Sequence, residues 1–198
     1  IFSFSVYFRY YTNLMELLDK QNCIYLLDED NFDFPTLEMI NDDLVAVGGD
    51  FHPTRLYNAY KNGIFPWFID EYNHIHWFSP KKRMVLYPNE FKVSKSLKRT
   101  IKNRGFVIKS NTNFEEVINN CANIKRKHEG DTWISDEFIQ AYTNLYNLDV
   151  AFSIECYLDN KLVGGLYGVL INDVFCGESM FSREPNASKV AFYHLCQQ

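Results

Sequence analysis

Long apolar runs are missing from this 198-residue chain. No stretch reaches the roughly 18 residues that a membrane-spanning helix needs, so no such span is expected. Paired metal-type cysteines are missing too. Cys23, Cys121, Cys156, Cys176 and Cys196 are scattered, which argues against a zinc site and for a reduced, cytoplasmic protein. His74-x-His76 has no third ligand nearby and reads as surface histidines. The apolar opening Ile1-Phe-Ser-Phe-Ser-Val-Tyr-Phe lacks a basic region ahead of it and a small-residue cleavage site, so a secretory signal is not expected. Met15 reads as the start, with residues 1–14 an upstream or disordered leader. What the chain does have is apolar bulk. At 46% hydrophobic and 17% aromatic it can bury a core for one domain and a smaller appendage.

Charge is spread unevenly. Between Lys81 and Ser110 lie ten basic residues and one acid, Glu90, a local balance of +9 in a chain of net charge −5. Within that block Lys95, Lys98, Arg99 and Lys102 fall on one face of a helix, with Leu97 and Ile101 turned inward. Like charges held this close repel one another, and an RNA phosphate backbone would relieve the repulsion, so this face is a candidate RNA contact. The plainer reading is a solvated basic face.

Two parts are expected, residues 15–80 and 81–198. The first is aromatic and loop-rich, with a short strand from Leu44 to Val47 ending in Gly48-Gly49-Asp50. A helix follows from Pro53 to Asn62, entered at Pro53 and stopped by Gly63. Ile64-Phe-Pro-Trp-Phe68 reads as irregular, with Pro66 presenting Trp67 rigidly, and core packing is the default expectation for that tryptophan. In the second part, Thr112 and Glu115 form a capping-box pattern for a helix through Asn120, and Ser135-Asp-Glu137 opens another up to Tyr146. Strands follow at Phe152–Leu158, Leu162–Leu170 and Val174–Gly177, separated by tight-turn residues, and a helix from Asn186 or Ala187 closes the chain. This order gives an α+β layer in which Gly164, Gly165 and Gly168 mark close approach to the middle strand.

Glu178 lies between Gly177 and Ser179 in an apolar strand end. A carboxylate in such a place is costly without a cationic or polar partner, so Glu178 is the leading site candidate.

Seven segments carry a resemblance. Gly48-Gly-Asp50, Gly63-Ile-Phe-Pro-Trp-Phe68, Trp77-Phe-Ser-Pro80, Thr132-Trp-Ile134, Leu162-Val-Gly-Gly-Leu-Tyr-Gly168, Gly177-Glu-Ser-Met-Phe-Ser-Arg183 and Asn186-Ala-Ser-Lys189 occur in the order found in leucyl/phenylalanyl-tRNA–protein transferases. The chain resembles that family from about Phe34 onward. The resemblance implies a small N-terminal domain and a catalytic domain of the acetyltransferase-like (GNAT) superfold. It further implies transfer of Leu, Phe or Met from aminoacyl-tRNA to proteins with N-terminal Arg or Lys, marking them for degradation. An aminoacyl ester is already activated, so no cofactor and no metal are expected.

By the same resemblance, Trp67 and Trp133 stack or cradle the 3′-terminal adenosine and its ester. Glu178 binds or orients the cationic acceptor. The chain's own Leu166, Phe175, Met180 and Phe181 are candidates for an apolar side-chain pocket with Ser182 beside it, where an adaptable Met180 helps accept both Leu and Phe, and core packing is the alternative for each of the four. The family's Asp-Cys-Gln strand motif is not reached by Gln198, so a truncated sheet is expected. Two other functions stay open: a non-catalytic RNA-binding module, and a GNAT acyltransferase using acyl-CoA. The latter wants an Arg/Gln-x-x-Gly-x-Gly/Ala phosphate loop, which the chain does not have.

Overall fold

Residues 24–28, 30–36, 38, 40, 42–124 and 134–198 are described by a computed structural model. The chain divides into two units, Ile1–Asp50 with Asn62–Arg83, and Phe51–Lys61 with Met84–Gln198. The first unit is built on β1 (Tyr25–Leu27), β2 (Leu44–Gly48), β3 (Phe65–Ile69) and β4 (Ile75–Phe78), in sheet order β1-β2-β4-β3. β1 pairs in parallel with β2, and the other pairs are antiparallel. Val45, Ala46 and Trp77 are fully buried in this sheet. The Trp77 indole donates to Gly48 O at 2.9 Å, which satisfies its one polar group inside the core. Gly48 has φ +91°, and a Cβ there would lie 2.9 Å from Leu27 O, so the position requires glycine.

The segment read as irregular is a strand. Phe65–Ile69 pairs with β4 at the outer position of the described sheet, where a proline costs no ladder hydrogen bond on the open side. Its pairing steps from Pro66↔Trp77 to Phe68↔His76, so Trp67 is the extra residue of a bulge.

The second unit carries α1 (Pro53–Lys61), α2 (Lys95–Asn103), β5 (Val107–Ser110), α3 (Phe114–Asn123), α4 (Asp136–Asn147), β6 (Ala151–Leu158), β7 (Lys161–Ile171), β8 (Val174–Ser182) and α5 (Ala187–Leu195). Its strands form an antiparallel sheet in the order β5-β6-β7-β8. β5 was not expected. β7 is buried along nearly all its length because helices cover both faces. A Cβ on Gly164 would fall 2.6 Å from Ala187 Cβ of α5, and one on Gly165 would meet Val117 of α3 at 3.4 Å. Successive strand residues point to opposite faces, so α5 and α3 lie on opposite sides. The glycines thus mark close approach, as expected. On the α5 side, Leu97 and Ile101 of α2 join Ile154, Cys156, Leu166, Val190 and Ala191 in one core.

Two local expectations need correction. Thr112 does not form a capping box with Glu115, because its hydroxyl donates to Glu155 at 2.9 Å. The α3 N-terminus is held instead by fully buried Glu155, which also accepts from the backbone N–H groups of Thr112 and Asn113 and from Ser153 Oγ at 2.6 Å. The second correction is that β8 does not stop at Gly177. It stays paired with β7 from Ile171↔Val174 to Gly164↔Ser182, absorbing the polar Glu178 in a bulge. The class expectation, α+β, agrees with the described helices and two sheets. No helix among the described residues is long and apolar enough to cross a membrane.

Candidate active site

The β8 bulge builds the site. Pairing steps from Tyr167↔Ser179 to Gly168↔Gly177, which leaves Glu178 as the extra residue with its side chain redirected out of the ladder. Two tyrosines receive it. Tyr60 Oη donates to Glu178 Oε1 at 2.7 Å, and Tyr142 Oη donates to Oε2 at 3.0 Å. The two hydroxyls also lie 2.5 Å from each other, closing a triangle. This answers the expectation that Glu178 needs a polar partner.

Local sequence puts the tyrosines there. α1 buries Leu56, Ala59 and Tyr60, and α4 buries Phe138, Ala141, Tyr142 and Leu145, so each tyrosine belongs to an inward helical stripe. Tyr142 is further fixed by the edge of Tyr167 (ring centroids 5.5 Å apart) and by stacking with Phe138 (6.3 Å). Burial first, then the negative charge of Glu178, pushes both phenols well above their ordinary range. Both therefore remain neutral hydroxyl donors at physiological pH.

Beside Glu178 opens a cleft of about 510 Å³, the size of a small-ligand site. Leu166, Phe175, Met180 and Phe192 give it apolar walls, and Glu178 gives it a charged rim. Gly168 shapes it, since a Cβ there would meet the Phe175 ring at 2.6 Å and Cys176 O at 2.2 Å. An apolar slot beside a carboxylate suits a ligand with an uncharged side chain and a neighbouring cation.

The other candidate residues are distributed as follows. Leu166, Phe175, Met180 and Glu178 come together in the cleft. Phe181, 2% exposed, turns to the opposite sheet face, where its ring would be met by a Cβ on Gly165, so it is core rather than cleft wall. Ser182 accepts from Ser188 N at 3.3 Å and donates to Glu184 O at 2.8 Å, joining β8 to α5 instead of lining the cleft. Trp67, in the first unit, is 49% exposed, against the default expectation of core packing. Trp133 lies outside the described residues. Lys95, Lys98, Arg99 and Lys102 are all exposed on α2, whose first turn holds no acid and whose N-cap Ser94 accepts from Leu97 N. Tyr60, Tyr142, Tyr167 and Phe192 were missed from the sequence. For Tyr60 and Tyr142 a signal was present, since a tyrosine inside an apolar helical stripe requires a hydroxyl partner, although the sequence does not say which.

Comparison with known proteins places this geometry in a family. A model described as leucyl/phenylalanyl-tRNA protein transferase matches residues 85–198, and one for the N-terminal domain of the same proteins matches residues 49–81. The chain belongs to the leucyl/phenylalanyl-tRNA protein transferase family. Relatives bearing that name include one from Hydrogenovibrio crunogenus, 52% identical over 79% of this chain and 61% of its own length. One from Flavobacterium johnsoniae is 48% identical over 87% of this chain and 81% of its own. One from Dechloromonas aromatica is 48% identical over 82% and 70%. The chain therefore spans 61% of the length of the first of these transferases and more of the other two.

Proposed function

We propose that this chain transfers Leu, Phe or Met from aminoacyl-tRNA to the α-amino group of proteins with N-terminal Arg or Lys, marking them for degradation. Family membership supports the transfer itself, and the observation that carries the residue assignment is the apolar cleft rimmed by Glu178. In this reading Leu166, Phe175, Met180 and Phe192 take the donor side chain. Met180, 45% exposed and unbranched, adapts the slot to both aliphatic and aromatic donors. Such a slot discriminates weakly, since one methylene is worth about 1–3 kcal/mol.

Glu178 holds the cation of the acceptor. Each of its oxygens accepts one tyrosine hydroxyl. The tyrosines fix the carboxylate's direction. In the reaction the neutral amine attacks the ester carbonyl, the C–N bond forms and the C–O bond to the 3′-ribose breaks. The proton shed by nitrogen ends on the departing 3′-oxygen. Positioning the amine is the chain's main contribution, because the ester is already activated.

Trp67 offers its exposed face to the terminal adenosine, where a base stack contributes roughly 1–3 kcal/mol. The four cations of α2 contact tRNA phosphates. An acetyltransferase-like (GNAT) fold for the second unit is supported by helices on both faces of an antiparallel sheet broken by a bulge at the site, with the first unit as the smaller domain. The donor sets the reaction in the cytoplasm. The test is incubation with labelled Phe-tRNA and an Arg-initiated peptide. Label in the peptide supports the enzyme, whereas tRNA binding without transfer supports a binding module.

A further inference from the structure

The bulge in β3 has a consequence for the aromatic surface of the first unit. Neighbours along a regular strand point to opposite faces, yet Trp67 and Phe68 both pack on the Phe78 ring, at centroid distances of 4.9 and 6.0 Å. Both are also exposed, at 49% and 38%. The extra residue at Trp67 explains this, because a bulge puts two residues of one strand against one of its partner. Phe68 in turn stacks on His76, with centroids 4.5 Å apart and planes 19° from parallel. His76 Nε2 lies 3.0 Å from Asp70 Oδ2, so the ring beneath Phe68 is held in place. At the other end, Trp67 lies 6.1 Å from Phe65, and the Arg83 guanidinium sits over Phe65 at 5.0 Å while donating to Gly63 O. Exposed Lys81 and Lys82 precede Arg83. The result is an aromatic ribbon of two exposed rings on a fixed base, with Arg83 at its margin and exposed Lys81 and Lys82 just before it in the chain.

From this we infer that Phe68 is a second stacking position, taking the nucleobase that precedes the terminal adenosine on the single-stranded 3′ end of the donor tRNA. The inference rests on the reading of Trp67 as the adenosine platform. Flat exposed rings backed by rigid partners suit bases, every one of which has a π-face, and the Lys81-Lys82-Arg83 charge suits the intervening phosphates. A stack by itself reads no base edge, so it would tolerate either pyrimidine or purine.

The experiment compares two stable donor mimics on the full chain: puromycin, which carries a single nucleoside, and the same compound extended as CpCp-puromycin. Phe68→Leu keeps apolar bulk and removes the ring. It should weaken CpCp-puromycin roughly 10-fold while changing puromycin by less than about twofold. Phe68→Tyr should restore the tighter binding. Trp67→Leu should weaken both probes. An equal loss on both probes in Phe68→Leu, or no loss on either, overturns the second stack, as does equal wild-type affinity for the two probes in a chain that transfers Phe. If the wild type binds neither probe, the donor reading itself fails and the second stack with it. Thermal midpoints of all variants separate these outcomes from misfolding.

Discussion

Replacing Glu178 by Gln removes a charge while keeping the shape of the side chain, and the site's geometry sets what should follow. Two hydroxyls now donate to one carboxylate, at 2.7 and 3.0 Å. The amide retains one acceptor oxygen but turns an NH₂ toward the other tyrosine, which must rotate its hydroxyl toward the first. One charge-assisted hydrogen bond is lost, about 1.5–3 kcal/mol, and part of this is offset because a half-buried charge no longer has to be desolvated. A net loss of about 1–2 kcal/mol should lower the melting temperature by roughly 2–8 °C for a chain of this size. Loss of the anchor for a cationic acceptor should raise the acceptor KM for an Arg-initiated peptide by roughly 10- to 100-fold, the equivalent of about 1.4 kcal/mol per decade. Affinity for aminoacyl-tRNA should hold. Tyr142→Phe is the control, since it removes a donor and leaves the charge. It should cost similar stability and shift the acceptor KM by less than about threefold. A Gln variant with a lowered melting temperature and an unchanged acceptor KM would refute the assignment, leaving Glu178 as a purely structural partner of the tyrosines.

The basic face of α2 predicts a salt dependence. With four single-strand phosphate contacts, log K for aminoacyl-tRNA should fall against log salt with a slope of about −3, and Ala at Lys95, Lys98, Arg99 and Lys102 together should flatten it; an unchanged slope removes α2 from the interface. Gly164→Ala should destabilise the second unit by about 1–3 kcal/mol, because the new Cβ would sit 2.6 Å from Ala187 Cβ and 3.0 Å from α5 backbone. A melting temperature within 1 °C of wild type, a window narrower than roughly 2 °C per kcal/mol would allow, counts against that packing. Asp70 gives a pH signature. Burial works against its charge, but the hydrogen bond from His76 and the backbone N–H groups of His74 and Tyr72 hold its carboxyl below the ordinary value of 3.8. A lowered folded-state value stabilises the fold above the unfolded one and is lost as pH falls through the folded one. The stability gap between wild type and Asp70→Asn, read from urea midpoints, should thus be full above about pH 5 and close as pH falls through the lowered folded-state value. A gap independent of pH would contradict it.

Legibility in the sequence followed the reach of the signal. Helices with an apolar stripe and a punctuating residue were readable: Pro53 and Gly63 bracket α1, and Leu97 with Ile101 marks the inward side of α2. The strands β6 and β7 were readable from their apolar runs and the turn at Asp159-Asn160, both of which adopt positive φ. What failed were features decided by partners far along the chain. β3 contains a proline that argues against a strand, and only its outer position and its pairing with β4 permit one. The capping box at Thr112 was locally sound, but Glu155, 43 residues on, took the hydroxyl.

The same distinction explains the site. Glu178 was visible because a carboxylate inside an apolar segment is a local anomaly, and anomalies are cheap to detect. Its partners were invisible as partners, because Tyr60 and Tyr142 lie 118 and 36 residues away and each is an ordinary member of an apolar stripe. Phe181 was placed in the pocket against alternation. Simple counting puts Met180 and Glu178 on one face and Phe181 on the other, yet all the apolar residues around Glu178 were grouped as one pocket. The bulge at Glu178 divides them: it breaks the alternation and lets the carboxylate reach the tyrosines while Met180 opposite Leu166 faces the cleft. A second bulge, at Trp67, turns a tryptophan expected in the core out to solvent. In both sheets the residue proposed to meet substrate is the extra one. Periodicity predicts the residues that pack, and both proposed contacts with substrate fall where one added residue interrupts the period.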